Sequence, residues 1–353
     1  MPNGKQMSRS SSVKRIVTEW AREVERDRDR GLGINPRAGK VLVSEWGETW
    51  LASRVVEERT LRRYETLWEQ RIRPHWGKHP LGTITKVQVE GWVKRLLADK
   101  VGVRTVQQSQ TLFSAMLAGA VDERLIPANP ATGIRKPRTP TKPPRFLDRS
   151  SEAPALLEKL TGDDRVFVDL LLHTGLRWGE GAGLKGSSLD LVQRQIHVVG
   201  VRTTDGKWKK YPKSRRSRRT VPMPKHLAAD LERLVSKSGP DRAVFTAPEG
   251  GPLNYATWRN RVFKPAVTAA KLVGVTPHTT RHTTASWLVQ AGVSLYQVQQ
   301  LLGHESPMTT QRYAHLAPDA FDAVSSVLDA DPRSISGQGG DQSGSDPERT
   351  GAA

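Results

Sequence analysis

Six prolines fall between Pro127 and Arg145, at positions 127, 130, 137, 140, 143 and 144. A backbone fixed near φ of about −65° so often, and lacking so many amides, can neither continue a helix nor serve as a central strand. The 353-residue chain is thereby divided into two stretches, each long enough to bury a core of its own. The predicted organisation is an N-terminal helix and loop at 1–40, a helical domain at 41–129, an extended linker at 130–145, a second domain at 146–330 and a disordered Gly/Ser/Asp-rich tail at 331–353. Arg135, Lys136, Arg138, Lys142 and Arg145 make the linker basic, and it is expected to lie against a polyanion.

That expectation agrees with the whole chain, where 55 Lys and Arg stand against 36 Asp and Glu for a net charge of +19. A nucleic acid is the first partner to consider. Ribosomal-type and polybasic membrane-binding proteins share this signature, so charge alone does not choose a function. The absence of cysteine excludes disulfides, a thiolate nucleophile, Cys-ligated zinc and iron–sulfur clusters. No run of 18 apolar residues occurs, and Met1–Ser12 lacks the apolar stretch of a signal peptide, so a cytoplasmic protein that joins the nucleoid when bound to DNA is expected.

Hydrophobic spacing in 41–129 predicts four amphipathic helices. The first has Trp46, Trp50 and Leu51 on one face. The second is capped by Thr60, turns Leu61, Tyr64, Leu67, Trp68 and Ile72 inward, and ends at Pro74. Thr85 opens the third, with Val89, Trp92, Val93, Leu96 and Leu97 apolar. The fourth runs from about Thr105 to Glu123 around Leu112, Phe113, Met116, Leu117 and Ala120. A further helix, Ser12–Arg30, precedes them. In the second domain, Ile196, Val198, Val199 and Val201 predict a strand, Asp205-Gly206 a hairpin turn, Lys207–Tyr211 a return strand and Thr220-Val221-Pro222 a third.

Four segments of this domain carry chemistry. In Thr174–Glu180 a glycine turn leads into a helix with Arg177 at its start, where backbone amides favour anions. Arg202–Arg219 holds nine basic residues and one Asp. A hairpin tip bearing Lys213, Arg215, Arg216, Arg218 and Arg219 can follow a phosphate backbone. His278 and Arg281 share a helix face. His278 and His282 have zinc-protease spacing, but Thr279 stands where that motif needs Glu, so no metal site is expected. Finally, Ser294 and Gln297 form a capping box for a helix that Gly303 ends, presenting His304. Ser306 caps the next helix, Pro307 opens it, and Tyr313 lies about two turns along.

In order and spacing these segments resemble the tyrosine recombinase family, the phage-integrase type of site-specific DNA recombinase. The pattern His278-x-x-Arg281, Leu301-Leu302-Gly303-His304 and Tyr313 follows the family's, with 23 residues from Arg281 to His304 and nine more to Tyr313. Thr174–Glu180 resembles its first arginine box, and Lys213 with Ser217–Pro222 its lysine hairpin. The resemblance covers about Val41 to Leu328. It implies a mainly α fold: a helical core-binding domain, then an α+β catalytic domain with a small antiparallel sheet.

It also implies a reaction without cofactor or metal. Tyr313 attacks the scissile phosphate to give a 3′-phosphotyrosine and a free 5′-hydroxyl. Arg177 and Arg281 hold the non-bridging oxygens and His304 adds a donor. Lys213 protonates the departing 5′-oxygen, His278 assists proton transfer at the tyrosine, and Glu180 supports the arginine and histidine groups. His282 and His315 are assigned to packing or phosphate contact. The implied partners are double-stranded attachment sites, a homotetramer on two duplexes, a host DNA-bending factor and an excision factor. The C-terminal helix Pro318–Leu328 is expected to dock on a neighbouring protomer.

Three departures from the family stand out. Gly181 and Gly183 fall where a leucine-rich helix is usual, each costing about 1 kcal/mol of helix stability relative to Ala. Thr280 replaces a common Leu. Ser12–Lys40 resembles only the helix and loop that follow an arm-binding β-sheet in many integrases. The rival readings are a type IB topoisomerase-like enzyme and a DNA-binding protein without catalysis.

Overall fold

The computed structural model describes residues 38–138, 143–210 and 218–318, together with Arg15, Val17, Thr18, Arg22, Ser325, Leu328 and Asp329. The hairpin tip with Lys213, Arg215 and Arg216, residue Lys142 and the tail lie outside the described residues, as does most of the first and last expected helices. The chain forms two units, Met1–Thr141 and Lys142–Ala353.

In the first unit, α1 (Val43–Ala52) precedes α2 (Glu58–Leu67), α3 (Lys86–Ala98) and α4 (Val103–Asp122). Thr85 caps α3 as expected, its hydroxyl accepting from the Gln88 amide while the Gln88 side chain returns to the Thr85 amide. Thr60 does not cap α2, since Glu57 occupies that position and Thr60 lies within the first turn. Nor does Pro74 end the helix. A π turn, Trp68–Ile72, follows α2 and leads into a last helical turn, Arg73–Trp76. The wider turn relieves the clash between a proline ring and the carbonyl four residues before it. The same device recurs in the second unit, where a π turn at Arg259–Phe263 immediately precedes Lys264-Pro265.

The core is aromatic. Trp76 stacks on Phe113 at 5.0 Å between ring centroids, and Trp92 meets Phe113 edge-on at 5.5 Å. Leu97, expected inside, is 36% exposed. The start of the expected linker is fastened to α4. The side chains of Gln110 and Gln107 donate to the carbonyls of Ile134 and Pro137 at 3.1 and 2.6 Å.

The second unit opens with α5 (Glu152–Glu158), α6 (Gly162–Thr174) and the short α7 (Trp178–Ala182). The expected long strand breaks at Val199 into two that join different sheets. Strands β1 (Leu189–Asp190), β2 (Gln195–Val198) and β5 (Arg219–Pro222) form one antiparallel sheet, with Val198 opposite Arg219. Strands β3 (Gly200–Arg202) and β4 (Trp208–Lys210) form a two-stranded hairpin. Gly206 supplies the positive φ its turn requires. Then come α8 (Ala228–Ser238), α9 (Tyr255–Trp258), α10 (Pro277–Gln290), α11 (Leu295–Leu302) and α12 (Pro307–Gln311). The Ser294–Gln297 box caps α11 and left-handed Gly303 ends it. Tyr313 lies just past the end of α12, where the backbone tightens into a 3₁₀ turn, Ala314–Leu316.

One glycine in the first unit tests the packing. Replacing a mid-helix glycine by alanine ordinarily gains about 1 kcal/mol. At Gly47 in α1, a Cβ would fall 2.2 Å from Cη2 of buried Trp68. Gly47→Ala is therefore expected to destabilise the protein by roughly 1–3 kcal/mol, read from chemical denaturation followed by tryptophan fluorescence.

Candidate active site

The site is built around one carboxylate. Gly175 ends α6 in the left-handed conformation, where a Cβ would strike Leu302 at 2.4 Å, so only glycine lets this turn lie against α11. Two residues on, Arg177 caps α7. Its amide donates to Oε2 of Glu180 at 2.8 Å and its guanidinium to Oε1 at 2.9 Å. Glu180 is fully buried. From β5, Arg219 donates from Nη2 to Oε2 at 2.8 Å and from Nη1 to Oε1 at 3.1 Å, and its Nε reaches the Leu301 carbonyl at 2.7 Å. Burial pushes the Glu180 carboxyl up. The bonds and charge of Arg219, then the charges of Arg177 and Arg281, outweigh it and hold the group at about 2.

This corrects one expectation. Arg219, assigned to the DNA backbone, has a side chain only 8% exposed and is committed to Glu180. Bare charge along a sequence does not say which side of a strand a guanidinium takes. Arg218, beside it, is half-buried. The glycines that weaken α7 also have a reason. A Cβ at Gly179 would lie 2.5 Å from the Arg202 carbonyl, and one at Gly183 2.8 Å from the Arg202 amide. At Gly181 it would meet Phe167 at 2.8 Å. Helix propensity is given up so that β3 and the core can close on the helix that carries Glu180.

Arg281, on α10, is 2% exposed. It donates to the Gly175 carbonyl at 2.7 Å and to that of Leu302, joining the ends of α6 and α11. Burial, then the charge of Arg177, lowers it to about 9, still protonated at neutral pH. His304 follows Gly303 and is 8% exposed, its Nδ1 2.8 Å from the Thr310 hydroxyl. Desolvation and the charges of Arg281, Arg177, Arg219 and Arg312 press it to about 3, which keeps it neutral. Tyr313 is 1% exposed and burial raises its pKa. Its hydroxyl bonds Nδ1 of His282. His278, in the first turn of α10, is exposed, and its ring lies edge-on to His282 at 4.7 Å. Loss of hydration, then Arg281, Arg177 and Arg312, lowers it.

The structure thus brings Arg177, Glu180, His278, Arg281, His304 and Tyr313 into one electrostatic group. Lys213, Arg215, Arg216 and Lys142 lie outside the described residues, and Arg135, Lys136 and Arg138 are exposed on the first unit. Sequence reasoning gave His282 only a packing or phosphate-contact role and passed over Thr310 and the true partner of Arg219. The signal for His282 was present, since it repeats the face of His278 one turn on. Among the described residues, Asp169, His173 and His226 have the chemistry to hold a metal ion, with ligand atoms within 4.8 Å of one another. They lie on α6 and the 3₁₀ turn before α8.

Fixed guanidinium groups around a neutral imidazole donor, beside a phenol, suit stabilisation of a phosphorane while a tyrosine oxygen attacks it. The fold and site together define a tyrosine-type phosphoryl transferase. The family model for the phage integrase family matches residues 145–319, and that for the phage integrase N-terminal SAM-like domain matches 42–97. Tyrosine recombinase XerC of Xanthomonas axonopodis pv. citri (strain 306) is 30% identical over 237 residues, 65% of this chain and 72% of the relative. XerC of Xylella fastidiosa (strain M23) is 29% identical over 264 residues, 72% and 84%. Among solved structures, the Tn1549 transposon integrase in complex with a circular intermediate DNA superposes with a TM-score of 0.68 at 21% identity, covering 80% of this chain and 98% of that one. A lambda integrase dimer bound to a COC′ core site gives 0.62 at 19% identity, covering 89% and 90%. The chain belongs to the phage integrase family, the tyrosine recombinases. It is a site-specific recombinase, an enzyme that transfers DNA strands.

Glu180 makes the acid stability of the protein testable. Its carboxyl is lowered from 4.5 to about 2, so its stabilisation is complete above the unfolded value and is lost as pH falls through the folded one. That shift corresponds to about 3 kcal/mol. Denaturation midpoints taken from about pH 6 to pH 2 should decline with this component in the wild type and lack it in Glu180→Gln. The variant should also start about 3–5 kcal/mol lower, because its arginines remain buried without their partner.

Proposed function

We propose that this recombinase cuts and rejoins DNA through a 3′-phosphotyrosine on Tyr313, and that it integrates and excises a phage or other mobile element. The observation that carries the chemical reading is the buried Glu180, which fixes Arg177 and Arg219 in place with Arg281 and His304 in electrostatic reach. Arg177 and Arg281 clamp the non-bridging oxygens of the scissile phosphate. His304, neutral and oriented by Thr310, donates to the same phosphate. Glu180 and Arg219 position the clamp. Lys213 protonates the leaving 5′-oxygen, an assignment that rests on the family resemblance. His278 assists proton transfer at the tyrosine.

The substrate is double-stranded DNA at attachment sites. Arg135, Lys136, Arg138, Lys142, Arg215, Arg216 and Arg218 contact its backbone, where they add affinity without reading sequence. A homotetramer acts on two duplexes, aided by a host DNA-bending factor and an excision factor. Among the described residues no helix is long and apolar enough to cross a membrane.

The test uses a plasmid carrying the DNA that flanks the protein's own gene, incubated with the protein and a chelator and then denatured. Wild type is expected to leave a covalent protein–DNA adduct at a defined position, and Tyr313→Phe none. Salt-sensitive binding without an adduct would favour the DNA-binding reading, and relaxation of any plasmid the topoisomerase reading.

A further inference from the structure

A phenol must lose its proton to attack phosphorus, and burial makes that harder for Tyr313 than for a tyrosine in water. The group in contact with the hydroxyl is Nδ1 of His282. His278 is one turn earlier on α10, exposed, and meets the far ring edge-on rather than the phenol. Arg281, between them in sequence, turns to the carbonyls of Gly175 and Leu302. One helix thus presents a cation toward the phosphate site and an imidazole toward the nucleophile.

We propose that His282 is the catalytic base that takes the Tyr313 proton during strand cleavage, and the acid that returns it during rejoining. This rests on the reading of Tyr313 as nucleophile. In cleavage the Oη–H proton passes to Nδ1 as the Oη–P bond forms and the P–O5′ bond breaks. The electron pair of that bond leaves on O5′, which takes a proton from Lys213. In rejoining a 5′-hydroxyl attacks and gives its proton to the Lys213 amine, the P–Oη bond breaks, and the His282 imidazolium restores the phenol. The step balances within the chain and its DNA, and the same residue serves in both directions.

The charges around His282 suit this work. It is faced by His278 and Arg281 from α10 and by Arg312 and Tyr313 from the segment after α12. Desolvation, then His278, Arg312 and Arg281, holds it at about 4, so the ring is neutral at neutral pH, and its Nε2–H tautomer turns the Nδ1 lone pair to the phenol. An incoming phosphodiester carries negative charge toward these same cations. Its arrival raises the proton affinity of His282 at the moment a base is needed.

The experiment uses the full chain and a duplex containing the site mapped from the Tyr313 adduct. If wild type forms no adduct, the nucleophile reading fails before His282 is in question. Given an adduct, His282→Ala and His282→Asn are expected to form it at least about 100-fold more slowly with unchanged DNA affinity. The asparagine oxygen can accept the phenol's hydrogen bond but cannot take its proton. The deficit should narrow as pH rises, because the phenol then ionises unaided. A duplex with sulfur in place of the bridging 5′-oxygen has a leaving group that needs no proton. It should rescue Lys213→Ala and leave the His282 variants slow. A wild-type rate in His282→Asn would reduce His282 to a positioning residue, and rescue by the sulfur duplex would place it on the leaving-group side. Either result overturns the proposal.

Discussion

A carboxylate with no contact with water is stable only if its partners are fixed, and the second unit is arranged around that demand. Among the described residues, Glu180 accepts two hydrogen bonds from Arg177 and two from Arg219. Those donors come from the N-terminus of its own helix and from a strand paired in register with β2. Arg219 continues to the Leu301 carbonyl, and Arg281 bonds the next carbonyl, that of Leu302. The end of α11 is therefore held by two guanidinium groups, and His304 emerges directly after it. Displacing the carboxylate would release the first arginine, the strand that follows the lysine segment, and the turn that presents the histidine. The ion pair is better understood as a device of position than of stability, since desolvating several charges offsets much of their attraction.

What could be read from the sequence was what is local. Caps act within four residues, so the Ser294–Gln297 box and Thr85 announced their helices correctly. Arg177 follows a glycine turn and His304 follows Gly303, but the set Arg177, Arg281, His304 and Tyr313 was legible through an order and spacing that resemble the tyrosine recombinase family. Features that answer to distant neighbours were not. Gly181 and Gly183 looked like defects in a helix until Phe167 and Arg202 were seen against them. Pro74 looked like a stop because nothing nearby signals a π turn. The nine basic residues of Arg202–Arg219 looked alike, and only pairing opposite Val198 separates Arg219 from those around it.

His282 shows a different limit. Its spacing from His278 was evident and was weighed as a metal motif, then set aside for want of a glutamate. The alternative, that two imidazoles one turn apart could line a path to a phenol, needs the position of Tyr313. That position depends on where α12 ends. Tyr313 stands past the helix, not within it, so its side chain does not follow the periodicity of Pro307–Gln311. Its ring enters the small cluster of Ala285, Val289, Val298 and Leu302. Two of those residues share α10 with His282. The hydrophobic seat and the hydrogen-bond partner of the phenol are thus faces of one helix.

The electrostatics follow from the same packing. Guanidinium groups keep their charge when buried, whereas imidazoles under the same field lose theirs. Arg177, Arg219, Arg281 and Arg312 all press on His304, and Arg281 and Arg312 press on His282. A division of labour results. The arginines keep a permanent charge in the site, and the histidines remain neutral, free to donate or accept at an edge. Protonated histidines would add charge and lose the lone pair that a proton acceptor requires. Under the proposed function, a bound phosphate counters the field that keeps them neutral and links substrate to proton transfer through the arginines. A site of this design becomes basic only when it is filled, and a tyrosine held against it has little tendency to ionise while no DNA is present.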